Sequence, residues 1–120
     1  MASFRRFQAW QLCHALALEL HRITDKWPRA ERYELTCQVR RAAFSAAANI
    51  VEGASRPGRK EFARFLDISV SSLAELEYAL LFGKDYGLLT ETQWIGLEEK
   101  RRPASVVTWK LLSAVRGHKR

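Results

Sequence analysis

The chain has 120 residues, one domain's worth, with nearly half of them hydrophobic, so it can bury a core without disulfide support. No apolar run approaches the roughly 20 residues that a bilayer span needs, and the start MASFRRFQAW lacks the apolar stretch of a secretion signal. No membrane partner is therefore expected, and the cytoplasm is the expected compartment.

The formal net charge is +7. From Arg101 to Arg120 there are six basic residues (Arg101, Arg102, Lys110, Arg116, Lys119 and Arg120) and no acid. A second cluster comprises Arg56, Arg59, Lys60 and Arg64, and basic pairs stand at Arg5-Arg6 and Arg40-Arg41. Such charge favours a polyanion; the plainer reading is a solvated surface that keeps the protein soluble. Cys13 and Cys37 lie outside any C-x-x-C pair and inside helical patterns, so both are expected as reduced, buried thiols.

The spacing predicts four helices, at about residues 3–27, 30–53, 59–86 and 91–115, followed by a basic tail, 116–120. In the first, Phe7, Trp10, Cys13, Ala17, Leu20 and Trp27 mark one face, and Leu12, Leu16 and Ile23 mark a second stripe. Only one stripe is needed inside a bundle, so the other is expected to meet a second copy of the chain. Pro28 ends this helix. The second helix presents Leu35, Val39, Ala42, Ala43, Ala46, Ala47 and Ile50, mostly small, with Gly53 as its expected stop.

The third helix repeats Phe62, Phe65, Leu66, Ser69, Leu73, Leu76 and Leu80 and closes at Gly87. Thr90 to Gln93 forms a capping-box pattern opening the fourth helix. Pro103 falls inside that helix, where a kink or a restart is expected. With no sustained strand alternation, the fold class is all-α: an antiparallel up-down four-helix bundle.

Catalytic patterns are lacking. There is no phosphate-binding glycine loop, nucleophile elbow or H-E-x-x-H motif. His14 and His21 are seven residues apart, about 10 Å along a helix, too far to share one ion. No enzyme activity, catalytic residue, metal or cofactor is expected. One polar pattern does stand out: Gln38, Arg41, Ser45, Asn49 and Glu52 step along the second helix, and Ser72 and Glu75 belong to a similar stripe on the third. These seven residues are expected as a structural polar network, the alternative being a nucleic-acid or partner surface, with Arg41 expected to pair with a glutamate such as Glu52 or Glu75.

Several of these segments together resemble one family. Leu35-Thr36-x-Gln38-x-Arg40-Arg41-Ala42-x-x-Ser45, then Asn49-Ile50-x-Glu52-Gly53 and Arg56, look like its central signature. Lys60-Glu61-Phe62-x-x-Phe65-Leu66, Ser72-Leu73-x-Glu75-Leu76, Trp10-Gln11 and Trp27-Pro28-x-x-Glu31 extend the match over about residues 4–86. The chain is thereby identified as similar to the bacterial four-helix bundle proteins typified by the 23S ribosomal RNA intervening-sequence protein. The resemblance implies an antiparallel bundle assembled into a homopentameric ring. A related branch, the accessory variability determinant of diversity-generating retroelements, binds nucleic acid and a reverse transcriptase. The chain departs from the pattern at Ser71, where glycine is usual, at His21, often tyrosine, and at Pro103.

The leading functional expectation is a non-enzymatic oligomer that binds nucleic acid, structured RNA rather than DNA, through backbone phosphates. Arg56, Arg59, Lys60, Arg101 and Arg102 are the candidate nucleic-acid-binding residues, because they lie near loops or the suspected kink. The alternative is an accessory scaffold that holds a reverse transcriptase and its template.

Overall fold

The computed structural model describes residues 3–31 and 34–117. Its helices are α1 (Gln8–Thr24), α2 (Leu35–Ala54), α3 (Arg59–Tyr86) and α4 (Glu91–Arg116), and no strand occurs among the described residues. Each helix packs on its chain neighbour, and α4 closes the bundle against α1. Contacts join opposite ends of neighbouring helices: Thr24 at the end of α1 with Arg40 early in α2, Leu35 at the start of α2 beside Gly83 near the end of α3, and Arg59 at the start of α3 with Val115 at the end of α4. The neighbours are therefore antiparallel. The bundle measures 44 × 25 × 20 Å.

The core is built from the faces that periodicity marks. Leu16 and Leu20 of α1, Val39 and Ile50 of α2, Leu66, Leu73, Leu76 and Leu80 of α3, and Leu97 and Leu112 of α4 are all buried. Each such side chain contributes roughly 1.5–3 kcal/mol on leaving water. Leu12 and Ile23, the second stripe of α1, pack against this same core. The expectation of a spare apolar stripe on α1 is thus corrected: α1 is wedged between α2 and α4, and both neighbours use it. On α1 Leu18 is exposed, and most of the exposed apolar surface lies on the other helices, among them Phe44, then Tyr78, Phe82 and Tyr86, and Ile95, Val106 and Trp109.

Three boundaries differ from the expected ones: the start of α1, its end, and the start of α2. Ser3 caps a separate 3-10 turn, Phe4–Arg6, and α1 starts at Gln8. After α1 ends at Thr24, a second 3-10 turn, Arg29–Glu31, precedes α2 at Leu35. The reason for the early stop lies in Arg40 of α2. Its guanidinium donates to Thr24 Oγ1 at 2.8 Å, to the His21 carbonyl at 3.0 Å and to Asp25 at 2.8 Å. One side chain of α2 thereby grips three acceptors around the last turn of α1.

Gly53 does not stop α2, which continues to Ala54. It is buried inside the helix, and a Cβ there would stand 2.8 Å from Phe65 Cβ and 3.3 Å from the Phe62 carbonyl oxygen. With Ala42, Ala43, Ala46 and Ala47 it makes the flat face on which α3 sits close. That closeness lets Ser69 Oγ donate across to the Ala46 carbonyl at 2.8 Å. Gly87 does take the left-handed cap, φ +95°, and Thr90 and Gln93 complete the capping box.

Pro103 neither splits α4 nor starts a new helix; Glu91–Arg116 is one element. Proline cannot donate to the carbonyl one turn earlier. Here that carbonyl belongs to Glu99, and both Glu99 and Pro103 are exposed, so water can serve it. Cys37 is exposed rather than buried, whereas Cys13 is buried as expected.

Candidate nucleic-acid interface

At one end of the bundle the start of α3 lies beside the end of α4. Arg59, Lys60 and Arg64 of α3 and Arg116 of α4 line one open groove of about 640 Å³, together with Ala63, Asp67 and Val115. Arg59 is fixed in place: its Nε donates to the Val115 carbonyl at 3.0 Å. That carbonyl is one of the last of α4, where a helix carries partial negative charge. Gly117 permits the crossing, since a Cβ at this left-handed residue, φ +67°, would fall on the Arg59 guanidinium.

The groove is not uniformly free. Arg64 donates to Glu61 at 3.2 and 3.3 Å, which holds the Glu61 carboxyl below its ordinary range. Arg116 stands 3.8 Å from Asp67. Arg59 and Lys60 have no ion pair among the described residues, so they carry the open charge. Arg56 lies just before α3, bonded to Glu52 at 2.7 Å and placed over the Phe65 ring at 5.2 Å.

The other expected basic pair behaves differently. Arg101 is buried, with its side chain 6% exposed. Its guanidinium grips Glu98 with two bonds of 2.7 Å, reaches Ser105 at 3.0 Å, and stands 3.4 Å from Glu77 of α3. Glu98, hydrogen-bonded and equally buried, raises the already high pKa of Arg101. As a phosphate ligand Arg101 is therefore corrected: its fork is consumed by the bundle's own carboxylates. Arg102, one residue on, points outward with 70% of its side chain exposed, 3.7 Å from Glu98. Sequence reading left Arg64 and Arg116 out of the site; the signal available was the antiparallel pairing of α3 with α4, which brings their opposite ends together.

The polar stripes resolve into a short network and a remainder. Ser45 and Ser72 share a hydrogen bond of 2.8 Å, and Asn49 Nδ2 donates to the Ser45 carbonyl and hydroxyl at 2.9 and 3.0 Å. Glu52 is exposed and tied to Arg56. Arg41 is exposed, and the expected pairing with Glu52 or Glu75 is not made. Gln38 and Glu75 are exposed and line a groove of their own. Stepping by three and four residues marks a face, yet only its inner edge is close enough to α3 to pair.

No group of three or more histidine, cysteine or acidic side chains that could hold a metal ion occurs among the described residues. His14 is exposed and stacked on Trp10, with ring centroids 4.7 Å apart. None of the helices is long and apolar enough to cross a membrane among the described residues. Of the basic tail expected at 116–120, Arg116 is the last residue of α4 and Gly117 its cap, while residues 118–120 lie outside the described residues.

The family model described as 23S rRNA-intervening sequence protein matches residues 5–106. A solved structure, a protein of unknown function from the S23 ribosomal protein family of Bacteroides thetaiotaomicron, has the same fold: TM-score 0.75 at 18% identity, over 92% of this chain and 99% of that one. No curated protein matches the sequence.

Proposed function

Since the chain belongs to the 23S rRNA-intervening sequence protein family, we propose that it is a non-enzymatic cytoplasmic protein that assembles with itself and binds structured RNA. The observation that carries this reading is the groove where Arg59, Lys60, Arg64 and Arg116 converge. Cations set on two helix ends suit the phosphate backbone, which gives affinity with little sequence preference. Arg56 and Arg102 add exposed charge outside the groove.

Self-assembly draws on the apolar side chains left in water. Phe44 on α2 is 68% exposed, and Val106 and Trp109 on α4 are 51% and 55% exposed. Two different patches on one chain suit a heterologous interface, which closes into a ring when its rotation permits. A homopentamer is the form the family resemblance implies. Repetition of the basic groove around a ring turns weak phosphate contacts into useful affinity.

The test is a binding titration of a ribosomal RNA fragment at increasing salt, with light scattering on the same sample. The expected result is affinity that falls linearly on a log–log plot, with a slope of about −0.7 per phosphate on single strands, and a mass near five times 13.8 kDa. Absence of salt-dependent binding at about 50 mM salt to RNA or DNA sinks the nucleic-acid reading. A stable monomer sinks the ring.

A further inference from the structure

Away from the basic end, α3 carries a ladder of three aromatic rings. Tyr78, Phe82 and Tyr86 stand one turn apart and are 66%, 44% and 64% exposed. Phe82 meets Tyr78 edge-on at 6.2 Å and stacks with Tyr86 at 5.8 Å. Together with Glu34, Gln38 and Glu75 they line a groove of about 540 Å³, over the buried side chains of Leu35 and Ala79.

The charge here runs against that of the whole molecule. Elsewhere most carboxylates are matched, among them Glu52 with Arg56, Glu61 with Arg64, Asp67 with Arg116 and Glu98 with Arg101, while exposed Glu99 stands alone on α4. Glu34 and Glu75 have no ion pair with any described residue, and no cation among the described residues lines the groove. In a chain of net charge +7, two unmatched carboxylates beside three open aromatic faces select for one chemistry. Ring faces attract a cation electrostatically, and carboxylates bond it directly. A phosphate backbone is repelled by the same groups. The apolar floor adds a demand for aliphatic side chains beside the cation.

We propose that the groove of Glu34, Gln38, Glu75, Tyr78, Phe82 and Tyr86 docks an arginine- or lysine-bearing amphipathic segment of a partner protein. A second copy of this chain is the competing occupant, since it too carries exposed cations such as Arg41 and Lys110, and the mass of the Phe82→Ala variant tells the two apart. The proposal does not rest on the nucleic-acid reading.

The experiment uses a labelled peptide of about 18 residues, five helical turns, with arginine on one face and leucine on the other, followed by fluorescence anisotropy. Wild-type protein is expected to bind it at micromolar concentration. Phe82→Ala and Glu75→Lys should each weaken binding about tenfold or more, as should replacing the peptide's arginines with glutamate. Both positions are exposed, so melting temperature should hold, and Lys60→Gln serves as the variant that leaves peptide binding unchanged. No binding by the wild type, equal binding of the glutamate peptide, or binding unaffected by both variants overturns the proposal. So does a fall in mass by light scattering for Phe82→Ala, which gives the groove to a second copy.

Discussion

The two basic clusters look alike as sequence and differ as structure. Arg101-Arg102 and Arg59-Lys60 are both adjacent cation pairs near helix irregularities. In the first, Arg101 is buried and satisfied by Glu98, Ser105 and Glu77, and only Arg102 faces water. In the second, Arg59 is braced on a backbone carbonyl and Lys60 is exposed, so the charge remains available. A guanidinium held by a carbonyl keeps its full positive charge, whereas one held by two carboxylates is neutralised. What separates a structural cation from a binding one is the identity of its partner, and that partner sits on another turn or another helix.

The sharpest way to break this contrast is Arg101→Gln. Removing one member of a buried ion pair strands the other, so about 3–5 kcal/mol of stability should go, read from a urea or thermal unfolding curve. A change under about 0.5 kcal/mol would mean that Arg101 is no more committed than a surface residue. The double variant Glu98→Leu, Arg101→Met removes both charges and should recover most of the loss, because a well-packed apolar pair is often as stable as the buried ion pair.

The opposite outcome is expected at the groove. Lys60→Gln, Arg64→Gln and Arg116→Gln combined should leave unfolding nearly unchanged, since all three are exposed. RNA binding should weaken, and its salt slope on single strands should flatten by about 0.7 for each phosphate that is no longer neutralised. A flattened slope with Arg102→Gln but not with this triple variant would move the interface to α4.

Smaller effects sharpen the account of the polar seam. Ser72→Ala leaves Ser45 without its partner between α2 and α3 and should cost about 1 kcal/mol. Glu52→Ala removes only an exposed pair one turn from Arg56 and should cost at most about 0.5 kcal/mol. Equal costs would show that the outer edge of the stripe is bound as tightly as the inner.

Smallest at neutral pH is the effect of the thiol. Burial pushes Cys13 up to about 11 from an ordinary 9.0, partly offset by its bond to Thr108. The folded chain then holds this proton between pH 9 and 11 when the unfolded chain has released it, so stability should fall as pH rises through that window, by at most about 1.4 kcal/mol per pH unit. At pH 8 a thiol reagent should modify Cys37, which is exposed, and leave Cys13 untouched until the bundle unfolds.

The helices were legible because each apolar face repeats over about four turns or more, and Gly87 and the Thr90–Gln93 box mark their ends by local chemistry. The boundary at α2 was not, because Arg40, which closes α1, acts across sixteen residues. Gly53 reads as a stop in isolation; its actual use, letting Phe65 come close, exists only once α3 is in place. The site was half legible for the same reason. Arg59 and Lys60 announce themselves as charge, but Arg116 joins them only through antiparallel packing, and the fate of Arg101 depends on Glu77 of a different helix.

The bond from Arg59 to the Val115 carbonyl ties the first turn of α3 to the last turn of α4. Helix ends are ordinarily where a bundle frays first. A ligand seated in the groove would touch both ends of this tie, and by linkage it must favour the closed form by as much as that form favours it. Occupancy would then be written into the backbone itself, as slower amide exchange in the closing turn of α4, a signal that needs no label on the ligand and no change in the fold.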